Sequence, residues 1–194
     1  MKTLAIGLVG SPASGKSTIA SDLQRRGFVY YSLSQTLRDV ATILALDDNR
    51  KTLFGISSAL REKFGDDILA RRAKIWIESS GTQKVVIDSV RSPGEVRFLK
   101  TELGAFILGL SMPPEIRFRM LKERGRPGDP TTWQEFTNLI NLEETDGSRV
   151  QAERCLELAD AVIENDGLTS LTPKLDKILF TTMLEGNYTH REKL

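Results

Sequence analysis

The order of apolar and polar positions switches repeatedly between two patterns. Leu4 to Val9 is a short, nearly unbroken apolar run, as expected of a strand buried on both faces. A helical pattern follows from about Lys16 to Arg26, and Phe28 to Tyr31 is a second short strand. A helix then starts near Ser34, with Leu33, Leu37, Val40, Ala41 and Leu44 marking one apolar face. The segment DDNRKT reads as a polar connection, followed by helices around Ser57 to Phe64 and Asp67 to Glu78. Val85-Val86-Ile87-Asp88 is a buried strand that ends in a carboxylate. A helix from about Pro93 to Glu102 and a strand from Ala105 to Leu110 come next. Pro113 and Pro114 open another helix, since proline is tolerated in a first helical turn. It leads into the loop RGRPGDP, and TWQEFTNLINLEET resumes the helical pattern. Ala161 to Ile163 is a last strand, Asn165-Asp166-Gly167 a turn, and Leu171 to Leu184 a closing helix.

Strand and helix in alternation predict an α/β fold, a parallel sheet covered by helices on both faces. No fixed-period repeat, low-complexity segment or Pro/Gly/Ser-rich linker divides the chain, so residues 1–194 are read as one domain.

Composition narrows the chemistry. The 27 basic and 26 acidic residues leave a net charge of +1, which gives no support to a nucleic-acid or membrane-surface partner. The one cysteine, Cys155, excludes an intrachain disulfide and a cysteine-rich metal site. The one histidine, His190, lies in a polar tail, which argues against histidine-based catalysis and histidine metal sites. No stretch approaches the ~20 apolar residues of a membrane span. The first apolar run leads directly into a glycine-rich loop, so it reads as a strand rather than a signal peptide. A cytoplasmic protein is expected.

Residues 10 to 17 read GSPASGKS, which satisfies G-x-x-x-x-G-K-[ST] between a strand and a helix. Gly10 and Gly15 permit backbone angles that a side chain forbids, so the loop's N–H groups turn inward onto phosphate oxygens. The start of the helix adds its positive dipole end. Lys16 is expected to neutralise the β- and γ-phosphates and Ser17 to ligate Mg²⁺. Gly10, Ser11, Ala13, Ser14, Gly15, Lys16, Ser17 and Thr18 are therefore candidates for binding a purine nucleoside triphosphate, ATP with Mg²⁺.

Asp88 ends a strand at the carboxyl edge of the sheet, where ligands bind in open α/β folds. It is a candidate to hold Mg²⁺ through water or to accept a substrate hydrogen bond; a helix cap or local ion pair is the alternative. Arg91, three residues on, is a candidate phosphate clamp, with a solvated charge as the alternative.

Several segments together, GSPASGKST, YSLSQTLRD, LREKFGDDILARR, VVIDSVRSPGEVRFL, RGRPGDPTTWQEF and ADAVIENDG, resemble a subgroup of P-loop kinases. The subgroup is similar to adenylate kinase, dephospho-CoA kinase and phage-type deoxynucleoside monophosphate kinases, and includes adenylate-kinase-like proteins of archaea and bacteria. The resemblance reaches to about Leu184. It implies a P-loop three-layer sandwich with a five-stranded parallel sheet in the order 2-3-1-4-5. Residues 34–80 would form a helical acceptor-binding region, with Ser34, Arg38, Arg72, Asp88 and Arg91 as candidate acceptor residues. Residues 122–132 would form a lid that brings Arg124 and Arg126 over the triphosphate, near Arg119 and Lys122. A solvated helix end is the alternative for this basic run. Asn165 and Gly167 fall where related kinases contact the adenine ring, largely through backbone. Related sequences often carry an acidic residue at the position of Gln35, a departure that bears on the acceptor site.

These readings converge on a phosphotransferase acting from Mg-ATP on a small phosphorylated acceptor, a nucleoside or deoxynucleoside monophosphate first. Lys16, Arg124 and Asp88 would carry the transfer, by positioning and charge neutralisation. A dephospho-CoA kinase-like activity on a hydroxyl, with Asp88 as base, is one alternative. A nucleotide-binding regulator or slow NTPase is another. A homodimer is compatible with the sequence, and an RNA-processing kinase is disfavoured by the charge balance.

Overall fold

The structure is a computed structural model that describes residues 3–126, 128–145 and 148–189. Five strands form one parallel sheet: β1 (Leu4–Val9), β2 (Val29–Ser32), β3 (Lys84–Asp88), β4 (Phe106–Ser111) and β5 (Ala161–Glu164). Their order is β2-β3-β1-β4-β5, as the resemblance implies. β1 lies in the middle, with Ile6 opposite Val86 on one side and Phe106 on the other. A central strand in a sheet covered on both faces has no solvent side, which is why its sequence is a continuous apolar run.

The helices are α1 (Lys16–Arg25), α2 (Leu33–Ile43), α3 (Arg50–Phe64), α4 (Ile68–Ser80), α5 (Pro93–Leu103), α6 (Pro114–Arg124), α7 (Trp133–Thr145), α8 (Ser148–Glu157) and α9 (Leu171–Thr189). On one face of the sheet, Ile6, Leu8, Val86 and Leu108 pack against Ile19 and Leu23 of α1 and Leu175 of α9. On the other, Ala5, Val9, Val85, Ile87 and Ile107 pack against Leu69 and Ala73 of α4, Val96 and Leu99 of α5 and Cys155 of α8. The alternation of these two sets along β1 and β3 follows from the two-residue period of a strand.

Local chemistry fixes several helix ends. Ser92 Oγ accepts from Glu95 N–H at 3.1 Å while the Glu95 carboxylate accepts from Ser92 N–H, a capping box that opens α5. Asn49 accepts from Thr52 N at 3.0 Å and starts α3 at Arg50, so the helix begins well before the expected Ser57. The end of the polar segment DDNRKT is thus helix rather than connection, because its asparagine serves as a cap. β2 is shifted by one residue from the expected span, and α8 occupies a stretch for which no element was expected. His190 and Pro127 lie outside the described residues. No described helix is long and apolar enough to cross a membrane.

Candidate functional site

The turn between β1 and α1 has the backbone its sequence requires. Gly10 adopts φ 136°, and a Cβ there would lie 2.2 Å from the Leu110 carbonyl oxygen, so no side chain fits. Gly15 caps α1 in the left-handed region at φ 104°, where a Cβ would press on Asn165. Ala13 also has positive φ, at 63°, an uncommon angle for a residue with a side chain. Ser14 N–H donates to the Ser11 carbonyl, and the Ser14 hydroxyl is buried without a hydrogen-bond partner. Ser17 and Thr18 follow in the first turn of α1 and are exposed.

The Lys16 ammonium donates to the carbonyls of Gly10 and Ser11, at 2.8 Å each. Its enclosure holds the pKa down to about 8; Asp88 works in the opposite direction, and Arg91, Arg117 and Arg124 add to the depression. These five side chains therefore share one electrostatic neighbourhood. Four of them were expected from sequence. The missed one, Arg117, is 7% exposed. Its Nε donates to the Pro12 carbonyl at 3.0 Å, and its guanidinium lies 5.6 Å from the centre of the Phe136 ring. The sequence signal was the buried Leu121, one helical turn on, which marks the same inward face of α6.

Asp88 is held at the sheet edge by two donors, the Tyr30 hydroxyl at 2.9 Å and Ser89 N–H at 2.6 Å. Burial, then the nearby Asp88 charge, push the Tyr30 phenol up to about 12, so it stays a donor. Asp88 caps no helix, since Ser92 caps α5. Beside it Ser89 sits at φ 64°, with its hydroxyl 3.3 Å from Ser32 and 3.4 Å from Ser34. Arg38 donates to Ser34 Oγ at 3.0 Å and to Asp48 at 3.1 Å. Three hydroxyls and a guanidinium thus gather at the ends of β2 and β3.

Arg72 makes no hydrogen bond to this group but lines an adjoining cavity of about 590 Å³, together with Trp76, Gln35 and Asp39, and Ser32 of the cluster lines the same cavity. Gln35 donates to Asp39 at 3.0 Å, one helical turn away. Successive helical residues are rotated by about 100°, so the Gln35–Asp39 flank of α2 lies beside the Ser34–Arg38 flank rather than on it.

In the basic loop, Arg124 binds Asp129 through both Nε, at 2.8 Å, and Nη2. Arg126 enters through its backbone N–H, which donates to Asp129 at 3.0 Å, and its side chain is exposed. Asn165 is buried, and its amide joins two segments: Nδ2 donates to the Ser14 carbonyl at 3.0 Å and Oδ1 accepts from Gly167 N at 2.9 Å. Gly167 has φ 67°, and a Cβ there would lie 3.0 Å from the Arg119 guanidinium and 2.6 Å from Ile116. Arg119, on α6, therefore covers this turn. Among the described residues no group of three or more His, Cys, Asp or Glu side chains could hold a metal ion. A Mg²⁺ ion carried by a nucleotide needs only one or two protein ligands, so Ser17 and Asp88 are compatible with it.

A cradle closed to side chains, a helix N-terminus, an enclosed lysine and the sheet order define a P-loop nucleotide-binding protein with a kinase-like fold. An AAA-domain family model matches residues 6–168, and the chain belongs to that family. The chain also belongs to the UPF0200 proteins. It is 32% identical over 189 residues to the UPF0200 protein of Thermococcus gammatolerans, covering 92% of this chain and 95% of that one. It is also 32% identical to UPF0200 protein PH1008 of Pyrococcus horikoshii, covering 89% and 94%. Shikimate kinase from Bacteroides thetaiotaomicron superposes with a TM-score of 0.56 at 14% identity, covering 94% of this chain and 98% of that one. Shikimate kinase from Acinetobacter baumannii gives 0.54 at 16%, covering 95% and 94%. At such identities the likeness is one of fold.

Proposed function

We propose that this protein transfers the γ-phosphate of Mg-ATP to a small phosphorylated acceptor, a nucleoside or deoxynucleoside monophosphate. The observation that carries the reading is the juxtaposition of two anion-seeking groups at one sheet edge. Lys16, bonded to the Gly10 and Ser11 carbonyls, shares its electrostatic neighbourhood with Asp88, Arg91, Arg117 and Arg124. The Ser32, Ser34, Ser89 and Arg38 cluster adjoins Asp88 in the chain and in space. One group suits a triphosphate and the other a monophosphate.

In this account Lys16, Arg117 and Arg124 neutralise charge on the triphosphate, and Arg38 with the serine hydroxyls orients the acceptor phosphate. Mg²⁺, held by Ser17 and through water by Asp88, would supply charge neutralisation between phosphate oxygens. The acceptor phosphate oxygen is itself the nucleophile, so no strong base is required. The two donors on Asp88 suit a carboxylate fixed in place, which favours a phosphate acceptor over a hydroxyl that needs a base. The purine would lie at the Gly167 turn, under Arg119. Gln35 lines the cavity that Ser32 of the acceptor cluster also lines, so its departure from related sequences bears on the acceptor side of the site.

The test is ADP release from Mg-ATP with a panel of nucleoside and deoxynucleoside monophosphates and dephospho-CoA, run on wild type, Arg38→Ala and Arg72→Ala. One monophosphate is expected to stimulate release, Arg38→Ala to raise its KM at least tenfold, and Arg72→Ala to leave it within about twofold. Stimulation by dephospho-CoA alone would move the reading to a hydroxyl acceptor. A flat panel, in protein that binds ATP, would move it to a regulator or slow NTPase.

A further inference from the structure

The loop after α6 holds a carboxylate to which neither the motifs nor the family resemblance gives a role. The Asp129 side chain is 9% exposed, against 32% for its partner Arg124. One carboxylate oxygen accepts from Arg124 Nε at 2.8 Å and from Arg126 N–H at 3.0 Å, and the other accepts from Arg124 Nη2. Asp129 N–H returns a bond to the Arg126 carbonyl at 2.9 Å, so the loop closes on itself around this one side chain. A side-on fork of this kind fixes both the position and the plane of a guanidinium. It uses two of the five N–H groups of Arg124 and leaves the two on Nη1 outside the pair. Arg124 is also among the charges that depress the Lys16 pKa, so the paired guanidinium shares the electrostatic neighbourhood of the nucleotide loop.

We infer that Asp129 is a positioning residue for phosphoryl transfer, holding Arg124 by its Nε–Nη2 edge so that the Nη1 edge is presented to the triphosphate. The inference rests on the kinase reading of Arg124 and adds to it a residue that never touches substrate. The attachment also draws negative charge close to the guanidinium and holds its pKa above the ordinary arginine value, through the Asp129 hydrogen bonds first. The Asp129 carboxyl is in turn held below its ordinary range, with the Arg124 bonds the largest cause. The pair therefore stays ionised across the working pH range. Its effect on transfer is orientational, and a misplacement of about 1 Å in a phosphate-facing group can cost as much as ~100-fold in rate.

The experiment is a double-mutant cycle on the full chain: wild type, Arg124→Ala, Asp129→Ala and Arg124→Ala/Asp129→Ala. Each is measured for kcat and KM with the stimulating acceptor, and for affinity toward a non-hydrolysable ATP analogue. Arg124→Ala is expected to lower kcat by roughly 1,000-fold, as for an arginine on the transferring phosphoryl. Asp129→Ala is expected to lower kcat by roughly 10- to 100-fold with acceptor KM unchanged, and the double variant to be no slower than Arg124→Ala. Circular dichroism and thermal melts check folding; if Asp129→Ala is unfolded, Asp129→Asn takes its place, retaining one acceptor oxygen and an intermediate kcat. A double variant slower by the product of the two single effects would overturn the proposal, because Asp129 would then act independently of Arg124. Wild-type kcat in Asp129→Ala would overturn it alone; wild-type kcat in Arg124→Ala would overturn the role of Arg124 and the proposal together. Should wild type show no acceptor-dependent turnover, the kinase reading fails and the affinity cycle decides for Asp129, non-additive loss supporting it and additive or absent loss refuting it.

Discussion

Binding of a nucleotide should draw a proton onto Lys16. The ammonium is enclosed by the loop, and this burial first, with the charges of Arg91, Arg117 and Arg124 adding to it and that of Asp88 opposing it, lowers its pKa to about 8 from 10.5. That depression corresponds to about 3 kcal/mol disfavouring the charged form. The sign for stability follows from proton linkage. Between about pH 8 and 10.5 the unfolded chain holds a proton that the folded chain releases, so this group makes the unliganded protein more stable as pH rises through that window. Below about pH 8 its full cost is present. A polyphosphate reverses the balance, because an anion beside the ammonium favours the charged form. If the bound-state pKa returns to its ordinary range, binding takes up ~0.1 proton at pH 7, ~0.5 at pH 8 and ~0.9 at pH 9. Phosphate groups themselves lose their last proton near pH 6, so they add little above pH 8. Isothermal titration calorimetry with a non-hydrolysable Mg-ATP analogue, in buffers of different ionisation enthalpy, measures the uptake directly. Lys16→Met should abolish it. A flat profile from pH 7 to 9, or an unchanged profile in Lys16→Met, would refute the reasoning.

Three further outcomes follow from other contacts. Asn165→Ala removes a buried bond to the Ser14 carbonyl and a part-buried one from Gly167 N–H; it should cost roughly 1–3 kcal/mol in urea denaturation and weaken ATP-analogue binding, since the nucleotide loop loses its tie to the end of β5. Arg61→Ala strips the Glu95 carboxylate, which is fully buried, of a partner at 2.9 Å that joins α3 to α5; a loss of about 3–5 kcal/mol is expected, and a denaturation midpoint within error of wild type would contradict it. Gln35→Glu places a like charge one turn from Asp39 and should cost only about 0.2–0.5 kcal/mol. Because Gln35 bonds to Asp39 rather than to Arg38 or the serine cluster, that variant should keep acceptor KM within about twofold, and a larger change would show that this flank reaches the acceptor.

What could be read from the sequence was what is local. The nucleotide loop is contiguous, so its glycines, lysine and serine announce themselves by spacing alone, and Gly10 and Gly15 have the angles that spacing requires. The strands of the core were legible because burial on both faces leaves apolar runs, while the strand order came from family resemblance. What was illegible depends on contacts between distant segments. Arg117 looked like any other arginine on α6 until the fold set it against Pro12, 105 residues earlier. Asn165 was expected to face the base through its backbone, whereas its side chain spans to Ser14, 151 residues away. Arg72 and Arg38 read alike as arginines of a helical segment, and only the packing of α2 on α4 shows that Arg38 bonds to Ser34 while Arg72 lines the adjoining cavity. Asp129 reads as a turn residue in RGRPGDP, and its pairing with Arg124 is visible only once the loop is folded.

The most direct test of the central claim follows the phosphate itself. The protein is incubated with Mg-ATP labelled at the γ-position and the candidate monophosphates, and the products are separated by chromatography. The account predicts label in one nucleoside diphosphate, formed in step with ADP and absent with Lys16→Ala. Label released only as inorganic phosphate, or the same labelled product from Lys16→Ala, would contradict it.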